Sequence, residues 1–180
     1  MEPRTGQPLR ATLTRHPESP PSPVERIEVE VERTASGAIS LHYHLLGDLA
    51  RVGLPSTVEQ TGFTDELWKH TCLEAFVRLD GEGYLELNLS PSGDWAVYGF
   101  AGYRDGMTAL DLTPTVFRAA LSDDRYELVA VIDLPANASA AVGIAAVIED
   151  VDGGKSWWAL AHAPGKPDFH HPHSFVLELP

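Results

Sequence analysis

The sequence holds one cysteine, Cys72, in 180 residues. No intrachain disulfide can form, so a disulfide-stapled secreted scaffold is excluded and a reducing, cytoplasmic setting is expected. Basic side chains are scarce. Thirteen Lys and Arg face 26 Asp and Glu, for a formal net charge of −13. Such a surface repels phosphate backbones, so nucleic acid is not an expected partner. Long apolar runs are missing as well. Residues 138–148 are the nearest approach, fall well short of the roughly 20 residues of a membrane helix, and contain Gly143. The start, Met1-Glu2-Pro3-Arg4-Thr5-Gly6-Gln7-Pro8, has no apolar run behind a basic cluster and does not read as a signal peptide. Neither export nor a membrane partner is therefore expected.

Several chemistries are missing too. There is no G-x-x-x-x-G-K-[ST] or G-x-G-x-x-G phosphate loop and no G-x-S-x-G elbow. No C-x-x-C-H is present, which excludes covalent c-type haem. Helical periodicity is almost absent, with at most one turn in 45–52 and another in 135–141.

What remains is globular and β-rich. The composition is 43% hydrophobic and 22% charged, ordinary for one folded domain. Residues 1–23 read as an N-terminal strand (9–15) followed by a proline-rich segment, His16-Pro17-Glu18-Ser19-Pro20-Pro21-Ser22-Pro23, which forbids helix and central strand alike. Residues 24–180 read as the main domain. Ile27, Val29 and Val31 alternate with Glu28, Glu30 and Glu32, and Leu41, Tyr43 and Leu45 alternate with His42 and His44. Two further runs alternate around Leu73, Ala75, Val77, Leu79 and around Leu85, Leu87, Leu89. Later strands are expected over 95–103, 116–121, 126–134, 144–148, 156–160 and 175–179. About ten short strands at this spacing predict an all-β, antiparallel β-sandwich of immunoglobulin or jelly-roll type.

Three groups of residues carry candidate chemistry. Glu74 and Glu86 fall on neighbouring strands joined by the turn Gly81-Glu82-Gly83, and antiparallel pairing puts both on one face with Phe76, Tyr84 and Asn88. A carboxylate pair among aromatics suits sugar hydroxyls or acid–base work; a solvated face is the plain alternative. Trp68, Trp95, Trp157 and Trp158 form the second group. The adjacent pair must point to opposite faces, one to the core and one to the surface or a groove. The third is the C-terminal run holding His162, Lys166, Asp168, His170, His171 and His173. Its spacing matches no zinc signature, so it reads as a surface loop, with metal binding the alternative.

The runs Leu67-Trp68-Lys69-His70-Thr71-Cys72-Leu73-Glu74-Ala75-Phe76-Val77 and Tyr84-Leu85-Glu86-Leu87-Asn88-Leu89-Ser90-Pro91-Ser92-Gly93 resemble DOMON-like domains, a group similar to carbohydrate-binding module family 9. The later segments Trp157-Trp158-Ala159-Leu160-Ala161-His162 and Gly165-Lys166-Pro167-Asp168-Phe169-His170 resemble bacterial DOMON-like proteins of unassigned role. The resemblance spans roughly residues 27–180. It implies a β-sandwich that binds a sugar or a haem, with calcium as a further cofactor. No cofactor is read from the residues themselves, and Met107, after the turn residue Gly106, does not match the axial ligand of haem-binding relatives. The expected role is non-catalytic binding of a small polyhydroxylated ligand. Glu74, Glu86 and Asn88 would form hydrogen bonds, Trp68, Trp157 or Trp158 would stack, and Arg104, His162, Lys166, Asp168 and His170 would line the loop side. A haem- or metal-binding domain, and an enzyme using Glu74 and Glu86 or the histidine loop, are the alternatives.

Overall fold

The computed structural model describes residues 7–180. Residues 1–6, most of the stretch read above as lacking a leader, lie outside it. In chain order the strands are β1 (Leu9–Thr12), β2 (Thr14–Arg15), β3 (Val24–Arg33), β4 (Ala38–Gly47), β5 (Cys72–Leu79), β6 (Tyr84–Leu89) and β7 (Trp95–Phe100). They continue as β8 (Thr108–Ala109), β9 (Val116–Leu121), β10 (Arg125–Asp133), β11 (Ala138–Glu149), β12 (Lys155–Ala159) and β13 (Leu177–Glu178). Among the described residues no α-helix occurs, only 3₁₀ turns at Leu49–Arg51, Leu67–Lys69 and Pro172–Ser174. No helix is long and apolar enough to cross a membrane.

Two antiparallel sheets pack face to face. One has the order β1-β3-β4-β10-β9 and the other β2-β12-β11-β5-β6-β7-β8, with β13 also pairing with β11. The all-β sandwich expected from the alternation is therefore the observed fold. The strand outside those expected is the two-residue β8, too short to leave a period in the sequence. The first run, 9–15, is divided between the sheets. β1 pairs with β3, the buried Leu13 marks the crossing, and β2 pairs with β12. Other boundaries differ for local reasons. The strand expected over 95–103 stops at Phe100 because 101–106 turn through Arg104 and Gly106, both at positive φ. The turn expected in 135–141 is confined to residues before Ala138, where β11 begins. Of the final strand only Leu177–Glu178 is paired.

The inter-sheet core is built by every second residue. Ile27, Val29, Val31, Leu41, Tyr43 and Leu45 meet Leu73, Ala75, Val77, Leu85, Leu87 and Leu89, all buried. Each large aliphatic side chain so buried contributes about 1.5–3 kcal/mol.

The outer faces differ. On the five-stranded sheet, Glu28 and Glu30 stay at the surface, as an amphipathic strand requires. The central strands of the other sheet are buried on both faces: 72–77 and 84–89 have no exposed member. A second apolar cluster covers this outer face, joining Phe76, Tyr84, Tyr98 and Phe100 to Leu67 and Phe169 from loops. Gly143 permits the close approach. A Cβ there would lie 2.9 Å from the Ser174 carbonyl oxygen, so only glycine lets the C-terminal segment cross the sheet at this height.

Candidate ligand-binding site

The ladder register assembles the floor of the site. Glu74 stands directly opposite Asn88 across β5 and β6, and Phe76 stands opposite Glu86. On the flanking strands Ala145 lies beside Glu74 and Ala96 beside Asn88. These methyl groups leave room above the polar side chains. The result is a cavity of about 380 Å³, a size suited to a small ligand. Glu74 and Glu86 form its floor, and Trp68, Phe100, Val147 and Trp157 its walls. Arg104, Met107, Pro167, Phe169 and His170 close it from above.

The floor is polar and nearly dry. Glu74 is 2% exposed, Glu86 4% and Asn88 0%. Asn88 donates from Nδ2 to Glu86 Oε1 at 3.0 Å. Glu74 Oε1 and Asn88 Oδ1, both buried, meet no protein partner. Buried polar atoms are nearly always satisfied, and an orphan costs about 1–3 kcal/mol. Two orphaned polar atoms, Glu74 Oε1 on the cavity floor and Asn88 Oδ1 on the strand beside it, therefore await hydrogen-bond partners.

Burial sets the protonation states. It raises the Glu74 carboxyl well above the carboxylate range, and the neighbouring Glu86 charge raises it further. Burial also pushes Glu86 up, to about 7, against the opposing pull of the Asn88 amide and the Arg104 charge. Both acids are thus held toward their protonated forms. His170 moves the other way. Burial, followed by the Arg104 charge, lowers it to about 4, so its ring is neutral.

The cover is pinned by polar contacts. Asp168 Oδ1 accepts from the Arg104 guanidinium at 2.7 Å and from the His170 backbone N–H at 3.2 Å, while Oδ2 accepts from the Tyr103 hydroxyl. The Arg104 backbone N–H donates to the Tyr84 hydroxyl at 3.2 Å. Arg104 adopts φ +53°, a left-handed conformation rarely taken by a side chain of this size and worth about 1–3 kcal/mol of strain.

Of the residues singled out by the sequence, Trp68, Glu74, Glu86, Arg104, Trp157 and His170 line the cavity. Asn88 and Asp168 support it through the bonds just described. Three lie elsewhere. Trp158 points into the inter-sheet core, as alternation after Trp157 demands, and its Nε1–H donates to Ser156 Oγ at 3.0 Å. His162 is held away by its Nε2, which bonds the Thr14 carbonyl at 2.7 Å and so ties the loop to β2. Lys166 projects to solvent from the exposed bend around Gly165. Sequence reasoning did not single out Phe100, Val147, Met107, Pro167 and Phe169 as lining. Val147 could have been found, because it pairs with Trp157 across the ladder.

The cofactors implied by the resemblance do not fit this site. A haem needs an axial ligand over an apolar slot as large as the macrocycle, and this cavity of about 380 Å³ has two acids for a floor. His170 Nδ1 is bonded to the Tyr84 hydroxyl at 2.8 Å and its Nε2 faces Glu86 Oε2 at 3.6 Å, over two buried acids. Calcium needs six to eight oxygen ligands. Among the described residues no three carboxylates converge, and the C-terminal histidines form no ligand cluster.

The fold and cavity define a class: an all-β sandwich with a covered, ligand-sized site on the outer face of one sheet. The fold is similar to that of a Bacteroides uniformis ATCC 8492 protein provisionally named as carbohydrate-binding. The TM-score is 0.58 at 16% identity, covering 94% of this chain and 83% of that one. At this identity the likeness is one of fold. No family profile matches the sequence, and no curated protein matches it.

Proposed function

We propose that the protein is a DOMON-like, family 9-like binding domain that holds a small neutral polyhydroxylated ligand, a sugar or the end of a sugar chain, without transforming it. The observation that carries this reading is the orphaned Glu74 Oε1 on the cavity floor beneath indole walls, with the orphaned Asn88 Oδ1 on the residue paired with it in β6. Hydroxyl groups supply the missing donors, and the C–H faces of a sugar ring pack on Trp68 and Trp157. The charge balance favours a neutral ligand. Arg104 is already paired with Asp168, His170 is neutral, and burial pushes both carboxyls toward their neutral forms, so no free cation greets an anion. The provisional description of the Bacteroides protein points the same way.

The test is calorimetry against a panel of mono- and disaccharides, with Glu86→Ala as control. Binding by the wild type and loss in the variant is the expected result. No heat with any sugar overturns the proposal. Release of new reducing ends from a bound disaccharide replaces it with a hydrolytic reading, in which the raised carboxylates serve as acid and base.

A further inference from the structure

The opposite side of the molecule carries a second constellation. His42 and His44, two residues apart on β4, share the outer face of the five-stranded sheet. Glu127 on β10 stands directly opposite His44. Glu127 Oε1 lies 2.9 Å from His44 Nδ1 and 3.5 Å from His42 Nε2. All three ligand atoms lie within 4.8 Å of one another.

We propose that His42, His44 and Glu127 form a binding site for a divalent transition-metal ion of the zinc type. Ligands held about 2.0–2.1 Å from a tetrahedral ion lie about 3.3 Å apart, and the two contacts to Glu127 bracket that spacing. Ring packing of His42 on His44, with centroids 3.9 Å apart, leaves one nitrogen of the cluster without a hydrogen bond. His44 Nδ1 is buried and, despite its proximity to Glu127, is out of line for a hydrogen bond. Two imidazoles and one carboxylate select zinc, nickel or copper over calcium or magnesium, which prefer oxygen. The remaining position of the tetrahedron is left to water or an added ligand.

The surroundings favour a cation. On β3, Glu28 faces His44 and Glu30 faces His42. These two acids are engaged by Arg26 and Arg10, which leaves Glu127 as the near carboxylate. Its one basic neighbour, Arg125, stands at 3.9 Å and yields to an ion. A polar groove of about 420 Å³, lined by His44 and by two acids, Glu28 and Glu30, against two arginines, Arg10 and Arg125, opens beside the cluster and gives a path of entry. The site is remote from the covered cavity and does not depend on its ligand.

Chelator-stripped protein is titrated with Zn²⁺ by calorimetry and with Co²⁺ by visible absorption. One ion per chain is expected, with the intense d–d bands of tetrahedral cobalt. His44→Ala and Glu127→Gln should each weaken binding at least about tenfold. The double variant His171→Ala/His173→Ala, which removes the other exposed histidine pair, should leave it unchanged. Circular dichroism verifies folding, and Glu127→Gln serves if His44→Ala unfolds. Absence of one-to-one binding overturns the proposal. So does binding that survives both cluster variants, or that is lost only in the double variant.

Discussion

The Tyr84 hydroxyl is hydrogen-bonded to His170 Nδ1 at 2.8 Å and also accepts the Arg104 backbone N–H, which fixes the ring with its Nε2 3.6 Å from Glu86 Oε2. A neutral histidine and a raised carboxyl thus face each other across the cavity, and their effects on stability oppose. The folded pKa of His170 is lowered from 6.5 to about 4, so its contribution is present above 6.5 and is lost as pH falls through 4. That of Glu86 is raised from 4.5 to about 7, so its contribution is present below 4.5 and is lost as pH rises through 7. Each shift amounts to on the order of 3 kcal/mol. Urea unfolding between pH 4.5 and 7 should therefore show a stability that rises more steeply with pH in Glu86→Gln than in the wild type, and less steeply in His170→Phe than in the wild type. Parallel slopes in the two variants would sink the assignment.

Adjacent tryptophans should separate stability from binding. Trp158→Ala opens the inter-sheet core and should cost about 3–5 kcal/mol. Trp157→Ala, on the cavity wall, should change stability far less while abolishing or sharply weakening sugar binding. Thermal unfolding and calorimetry on the same two proteins check both halves.

Asp168→Ala removes the acceptor of the Tyr103, Arg104 and His170 contacts at once. The Arg104 side chain is half exposed, so the ion pair itself should contribute under about 1 kcal/mol. Global stability should move little. Amide exchange should quicken in residues 101–107 and 162–173, and ligand affinity should drop. Unaltered exchange there would mean that apolar packing alone holds the cover.

Gly143→Ala places a methyl group against the Ser174 backbone, which cannot give way as a flexible side chain would. A loss of about 1–3 kcal/mol is expected. Limited proteolysis should cut the variant first within the C-terminal segment. Cleavage elsewhere would show that this segment tolerates the displacement.

The floor of the cavity was legible because strand period and turn length are local signals. Residues 72–79 and 84–89 alternate cleanly, Gly81-Glu82-Gly83 fixes their pairing, and together these put Glu74, Glu86 and Asn88 on one face. The cover left no such trace. Asp168 meets Arg104 from 64 positions away, and His170 meets Tyr84 from 86, in segments with no period. Met107 looked like a turn residue because only the tertiary fold brings it over the sheet. His42 and His44 stood out as the polar half of an alternating strand, but Glu127 belongs to a strand whose register no local pattern supplies. The division of 9–15 at Leu13 escaped for a related reason: an unbroken alternation says nothing about which sheet each half joins.

The cavity's floor and the Arg104 side of its cover lie in 72–107, and the rest of the cover lies in 162–176. At 5–20 residues per second the ribosome releases that last part about 3–15 s after the first. When the C-terminal segment settles over Gly143 it takes the site out of water, and burial there favours a proton on Glu86 and its absence from His170. Closing the site is therefore a matter of proton placement as well as of packing.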